Sequence, residues 1–259
     1  MDNLTRLHYL QALGIDVWIP KVASSAVDLN SQKPSPEGWV RRNKNKEESL
    51  FILPPPQREE DHAHKSEALI EPHEPASNDN WEKLQAEVAV CTRCGLCETR
   101  TQTVFGSGNK NADWMIIGEA PGQHEDQQGL PFVGNAGLLL TEMLRAIGLS
   151  REDVFITNIL KCRPSNNRDP KPDEAQSCNE YLQRQSALIK PKIILAVGCI
   201  AAQTLLQTDA PLSRLRGKVH TLNNTPVIVV YHPAYLLRSP SEKRKAWLDL
   251  QLAMQTYKT

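Results

Sequence analysis

No apolar stretch in this 259-residue chain reaches the ~18–20 residues that a membrane-spanning helix needs, so nothing in it is expected to cross a bilayer. The N-terminus lacks a basic segment followed by an apolar core and a small-residue cleavage site, so no secretory signal is read and the cytoplasm is the expected compartment. Net charge is also missing, since 30 basic residues meet 30 acidic ones. No internal repeat is evident, which argues against a solenoid or an array. The phosphate-binding loops are absent too. Gly118-Glu119-Ala120-Pro121-Gly122 has neither the Lys-Ser/Thr of a Walker loop nor G-x-G-x-x-G spacing, which argues against a nucleotide-binding oxidoreductase.

The zero average hides an asymmetry. Residues 1–85 carry 10 Lys/Arg against 14 Asp/Glu, while residues 86–259 carry 20 against 16. A mildly basic second part is compatible with a polyanionic partner. Six cysteines in a cytoplasmic chain of this length point to metal binding or catalysis rather than a disulfide framework.

Composition divides the chain into three regions. In residues 1–20, Leu4, Leu7, Leu10 and Leu13 recur near helical spacing, Gly14 suits a C-terminal cap, and Pro20 stops continuation. This predicts a short amphipathic docking helix, followed by the apolar cluster Ile15, Val17, Trp18 and Ile19. Residues 21–80 are rich in proline and charge, which predicts a disordered linker. Trp39-Val40 and Phe51-Ile52-Leu53 are isolated hydrophobes within it, and His62, His64 and His73 read as solvated. Residues 81–257 carry the folded domain. Apolar runs at 114–117, 154–160, 192–197 and 227–231 read as strands. Helical patterns fall at 81–91, 136–147, 173–189, 200–206 and 241–254. Continuous apolar strands alternating with helices predict an α/β three-layer sandwich around a mostly parallel four-stranded sheet.

In such sheets ligands bind beyond the carboxyl ends of the strands. Glu119 follows the first expected strand, Asn158 ends the second and His232 follows the fourth, so an acid, an amide and an imidazole should converge on one edge. Cys91 and Cys94 form a C-x2-C chelate that Cys97 extends, with Cys162, Cys178 and Cys199 downstream. Spacing fits zinc and iron–sulfur alike and leaves open which of the thiols bind; structural zinc is the simplest reading.

The motifs taken together resemble one family, the iron–sulfur uracil-DNA glycosylases of bacteria and archaea called family 4. The resemblance covers about residues 88–256. It rests on CTRC, VFGSGN (104–109), the block 118–137, VFITNILKCRP with NNR (154–168), Cys178 after PDEA, RLRGK (214–218) and HPAYLLR (232–238). GEAPG, rather than a GDAPA-like block, favours family 4 over family 5. The resemblance implies a 4Fe–4S cluster on Cys91, Cys94, Cys162 and Cys178, generally regarded as structural. Cys97 and Cys199 match no ligand position, and Cys199 is expected as a buried apolar thiol. Phe132 is implied as the aromatic that stacks on uracil, Asn158 as the reader of its edge, and His232 as the donor to its O2. Glu119, with Glu125 second, is the acid that orients water or stabilises the sugar cation. Asn167 is a further active-site position, and the backbone of Ala120 or Gly122 meets the base.

DNA contact is implied for Arg214, Arg216 and Lys218, and for Tyr235, Leu236, Leu237 and Arg238, with a leucine as the wedge. The intact Glu119, Phe132, Asn158 and His232 argue against a non-catalytic DNA- or replisome-associated metal-binding protein. The enzyme is expected to be monomeric, near the nucleoid, and to act on uracil-containing DNA. Relatives that trap DNA covalently carry an inserted basic loop ending in histidine; RLRGKVH lacks the insertion despite His220, so ordinary turnover is implied. Finally, LHYLQALGIDVWIPK is similar to the short peptide by which the psi subunit of bacterial DNA polymerase III attaches to the clamp loader. Residues 4–20 are therefore expected to recruit the enzyme to a replication complex.

Overall fold

The computed structural model describes residues 80–258. The docking helix expected at 1–20 and all of the linker expected at 21–80 except Asn80 lie outside the described residues. Asn80 opens the first helix, α1 (Trp81–Ala89), by accepting a hydrogen bond from the Lys83 N–H. An acceptor at this position satisfies one of the amides that a helix start leaves unpaired. Leu84 and Val88, one turn apart, are fully buried and fix the face α1 presents to the core.

The sheet has six strands: β1 (Ser107–Gly108), β2 (Trp114–Gly118), β3 (Val154–Asn158), β4 (Ile193–Val197), β5 (Val219–Leu222) and β6 (Thr225–Val230). Their spatial order is β1-β3-β2-β4-β6-β5. The inner strands β3, β2, β4 and β6 are mutually parallel and correspond to the apolar runs read from sequence. The edge strands β1 and β5 pair antiparallel and add to that expectation. Every residue of β2, β3 and β4 is buried, as a parallel sheet covered on both faces requires.

Alternation along the strands sorts side chains into two cores. Met115, Ile117, Phe155, Ile194, Ala196, Val227 and Val229 face one side. They pack with residues of α1, α4 (Pro172–Ile189) and α5 (Cys199–Leu206). Trp114, Ile116, Val154, Ile156, Ile193, Leu195, Val197, Ile228 and Val230 face the other. There they pack with α3 (Asn135–Ala146) and α8 (Lys243–Lys258). Three short helices complete the order: α2 (Gln123–Gln128), α6 (Leu212–Leu215) and α7 (Pro233–Arg238). Each buried aliphatic side chain contributes about 1.5–3 kcal/mol, so both helical layers are needed to keep the strands from water.

After β2 the chain crosses to β3 on one side, and from β4 it runs on to β6 at the other. The topological switch point therefore lies between the carboxyl ends of β2 and β4, where a crevice forms in such sheets. The backbone ladder continues past β3, because Ile159 N–H donates to Gly118 O and Leu160 N–H to Glu119 O. The strand expected through residue 160 thus ends at 158, and its extension braces the turn that carries Glu119.

Candidate active site

Parallel register sets Gly118 beside Asn158 at the carboxyl ends of β2 and β3. A methyl group on Gly118 would lie 2.4 Å from Asn158 Oδ1 and 2.6 Å from the Phe132 ring. Phe132 in turn stacks on His232, with centroids 5.7 Å apart and ring planes 30° from parallel. His232 follows β6 and packs beside Gly198, which follows β4. The structure thus brings together Phe132, Asn158 and His232 at the switch point.

Asn158 is buried, and its Oδ1 has no hydrogen-bond partner among the described residues. An unpaired buried carbonyl costs ~1–3 kcal/mol unless a ligand supplies the missing donor. Phe132 is also strained. Its φ of +54° lies in the left-handed region, which bulky residues rarely enter. Glu125, on α2, accepts the N–H groups of Val133 at 2.9 Å and Gly134 at 3.1 Å through Oε1. That carboxylate is engaged in holding the loop after Phe132. Its Oε2 faces Gly122, where an added methyl group would meet it at 2.7 Å.

Glu119 is half-buried in the turn after β2. Burial, with a smaller contribution from the charge of Asp169, pushes its carboxyl up to about 7. Asp169 belongs to the loop after β3, which the two-pronged Arg168–Glu174 ion pair holds against α4. Asn167 lies in that same loop, exposed, with its Oδ1 accepting from Arg163 Nε at 2.7 Å.

His232 is the N-cap of α7, and its Nδ1 accepts the Ala234 N–H at 3.1 Å. An accepting Nδ1 carries no proton, so the ring is the neutral tautomer with its N–H at Nε2. Burial, aided by the Arg238 charge and opposed by Glu125, pulls its pKa down to about 4. The imidazole is therefore a neutral hydrogen-bond donor at physiological pH.

Two residues expected to touch DNA are placed otherwise. Leu236 is 1% exposed and packs into the core between sheet and helices, while Leu237 beside it is 45% exposed. Arg216 donates to Asp249 through Nε and Nη2, donates to Lys245 O, and lies over the Tyr231 ring. It is a structural tie between the β5 approach and α8, not a free cation. Arg214, Lys218, Tyr235 and Arg238 are exposed. His220 Nε2 bonds Leu215 O at 2.7 Å.

Cys162 and Cys178 are buried, and Cys91, Cys94 and Cys97 are half-buried near them. Burial pushes Cys162 up to about 11, with added pressure from the charges of Cys178 and Cys94. Burial likewise raises Cys178, with Cys94 and Cys91 contributing. The four thiols named from the family motif share one neighbourhood, and Cys97 acts on Cys94 there too. No group of three or more His, Cys, Asp or Glu among the described residues is arranged to hold a single metal ion. The donors around the sulfurs suit thiolates. Arg100 Nη1 reaches Cys162 Sγ at 3.2 Å, and the backbone N–H groups of Leu96 and Lys161 point at Cys94 and Cys178. Donors of this kind stabilise cluster-ligating sulfur. Cys199 is the first residue of α5 and is half-buried rather than buried.

Three site residues escaped the sequence reading. Asp169 raises Glu119 from a loop. Arg151 reaches the loop at Phe132 from the connection between α3 and β3. Lys161, fully buried, donates to Asn158 O, Thr157 Oγ1 and Gln185 Oε1 at 2.7–2.8 Å. Lys161 alone left a signal, a cation between an apolar strand and a cysteine.

Comparison with known proteins agrees with this geometry. The family model for the Uracil DNA glycosylase superfamily matches residues 105–251. A type-4 uracil-DNA glycosylase of Archaeoglobus fulgidus is 46% identical over 181 residues, which cover 67% of this chain and 91% of that protein. A type-4 uracil-DNA glycosylase of Saccharolobus solfataricus is 46% identical over 171 residues, covering 62% and 79%. One from Thermotoga maritima is 42% identical over 164 residues, covering 62% and 85%. Residues 105–251 contain the stacked Phe132 and His232, the unpaired Asn158 and the elevated Glu119, and the chain belongs to the uracil-DNA glycosylase superfamily, in its type-4 family.

Proposed function

We propose that this enzyme hydrolyses the N-glycosidic bond of deoxyuridine in DNA, releasing uracil and leaving an abasic site for base-excision repair. The observation that carries this reading is the buried Asn158 Oδ1, unpaired beside an aromatic ring. Uracil presents an N3–H donor and an O4 acceptor, which one fixed amide satisfies. Cytosine offers an acceptor at N3 and a donor at C4, so it leaves the same amide unsatisfied.

The target base is flipped out of the duplex and stacks on Phe132. As the C1′–N1 bond breaks, its electron pair moves onto uracil and the sugar becomes cation-like. His232 donates from Nε2 to uracil O2 and stabilises the anion without transferring its proton. Ionised Glu119 stabilises the sugar cation and orients the attacking water. The water oxygen bonds C1′, and Glu119 accepts its proton. The backbone at Ala120 and Gly122 lines the base site. Asn167, with Arg163, serves the loop that carries Asp169. Glu125 acts by holding the Phe132 loop.

Arg214, Lys218 and Arg238 bind phosphates, Tyr235 flanks them, and Leu237 fills the gap left by the flipped base. Cys91, Cys94, Cys162 and Cys178 hold a 4Fe–4S cluster. Cys91 and Cys94 lie in the segment after α1, Cys162 in the segment after β3 and Cys178 on α4, and a cluster there would tie these three segments together behind Asn158. The likeness of residues 4–20 to a clamp-loader-binding peptide supports recruitment of this monomer to replicating DNA. Retention of purified clamp loader by the full chain, lost on Trp18→Ala, tests that recruitment.

The deciding experiment incubates the full chain with a uracil-containing oligonucleotide and then treats it with alkali. Strand scission at the uracil is expected. An uncut strand overturns the reading.

A further inference from the structure

A phenylalanine at φ +54° persists only where its surroundings over-determine it. The stacking role above requires that ring to stay in place before DNA arrives. Space beside the loop makes this demanding. A cavity of about 740 Å3 opens next to Phe132, lined also by Leu130, Leu138 and Arg151 but by neither Asn158 nor His232. Open space thus borders the loop that carries the ring.

Arg151, in the connection from α3 to β3, meets the loop from outside the base site. Its Nη2 donates to Pro131 O at 2.8 Å, and its Nη1 donates to Phe132 O at 3.3 Å and Thr141 Oγ1 at 3.4 Å. Two consecutive carbonyls are thus held by one planar fork, which lysine cannot reproduce. On the following peptides Glu125 accepts the amides of Val133 and Gly134. Gly137 closes the arrangement, since a methyl group there would lie 1.8 Å from Phe132 O. Carbonyls are gripped by a cation and amides by an anion on either side of the strained residue.

We infer that Arg151 is a positioning residue for the glycosylase reaction: with Glu125 it clamps the 131–134 loop and locks the Phe132 ring beside Asn158 and His232. This rests on the proposed function and deepens it. Arg151 touches neither base nor sugar. Its contribution passes through Phe132 alone, and that makes it separable from a general effect on folding.

The test compares Arg151→Gln and Arg151→Lys in the wild-type and Phe132→Ala backgrounds, using the full-length holoenzyme. Single-turnover excision is measured at saturating uracil DNA, with affinity for abasic-site DNA as a second readout. In the wild-type background Arg151→Gln is expected to slow excision about tenfold or more, since misplacing a contact group by ~1 Å costs up to a hundredfold. Arg151→Lys should recover part of the loss through one carbonyl. In the Phe132→Ala background neither change should slow excision further, as expected of residues that act as one unit. Affinity for abasic DNA should hold. Losses that multiply in the double variants, or an unchanged rate in the single ones, overturn the clamp. Should Arg151→Gln not fold, Arg151→Lys carries the same cycle. A wild-type enzyme that excises nothing overturns the function itself, and that is a different result.

Discussion

Gly118 and Asn158 lie side by side at the carboxyl ends of adjacent parallel strands, so close that a methyl group on Gly118 would meet Asn158 Oδ1 at 2.4 Å. The absent side chain is what lets the amide and the Phe132 ring close up on the end of β2. Gly118→Ala should push Asn158 and Phe132 apart and fill the mouth of the site. Overpacking of this kind costs ~1–3 kcal/mol, which a domain with both sheet faces buried tolerates. Excision should fall at least ~100-fold, the scale for displacing a positioned donor. Asn158→Ala and His232→Ala should match that loss with visible absorbance unchanged. Equal activity in Gly118→Ala would mean that uracil is read elsewhere.

The pH profile follows from two opposed shifts. Burial pushes Glu119 up to about 7 and pulls His232 down to about 4. Excision needs Glu119 ionised, so the rate should climb as pH rises through 7 and then level. His232 is neutral throughout that range and adds no limb. Stability runs the other way for Glu119. Its folded value lies above the unfolded one, so its stabilising contribution is complete below the unfolded value near 4.5 and is lost as pH rises through about 7. Glu119→Gln should therefore abolish the ascending limb and melt higher than wild type above pH 7 but not below ~4.5. Single-turnover rates across about pH 5 to 9 and thermal melts across about pH 4 to 9 measure both. A limb that persists in Glu119→Gln would assign the titration to another group.

The thiols permit a ligand-by-ligand test. Cys162 and Cys178 are buried among N–H donors with the half-buried Cys91 and Cys94 close by, and Cys97 and Cys199, also half-buried, match no ligand position of the family motif. Holo-protein should be brown with a band near ~400 nm, as thiolate-ligated iron–sulfur clusters are. Cys162→Ser and Cys178→Ser should lose iron and colour. Cys97→Ser and Cys199→Ser should keep both. A colourless, zinc-loaded wild type would replace the cluster with a structural zinc, and loss of iron in Cys97→Ser would redraw the ligand set.

Where residue type and position determine each other, the sequence was legible. Unbroken apolar runs such as Met115–Ile117 and Ile194–Val197 admit little besides a strand covered on both faces. The positions of Glu119, Asn158 and His232 at the carboxyl ends of strands were readable for the same reason. β5 was not, since Val219–Leu222 alternates exposed and half-buried positions and carries polar residues. Arg151 left no trace because its partners on the Phe132 loop are backbone carbonyls, which every residue has. Arg216 was misread for a related reason. A cation in a loop looks the same whether it faces phosphate or a buried aspartate in a distant helix, and Asp249 supplies the latter.

The same ambiguity separates the two leucines after the histidine turn, and here it yields a test. Leu236 is 1% exposed and belongs to the core shared with α3 and α8, whereas Leu237 is 45% exposed. Leu236→Ala should cost ~2–5 kcal/mol of stability through the cavity it leaves. Leu237→Ala should change stability by no more than ~0.5 kcal/mol. A wedge matters only where a stack must be broken and its gap filled. Leu237→Ala should therefore slow excision from duplex DNA by about tenfold, close to the ~1–3 kcal/mol carried by one stacking contact. Excision from single-stranded DNA, which has no partner strand to displace, should barely change. Equal losses on both substrates would make Leu237 a general DNA contact rather than a wedge. A loss confined to duplex in Leu236→Ala would restore Leu236 to the DNA surface.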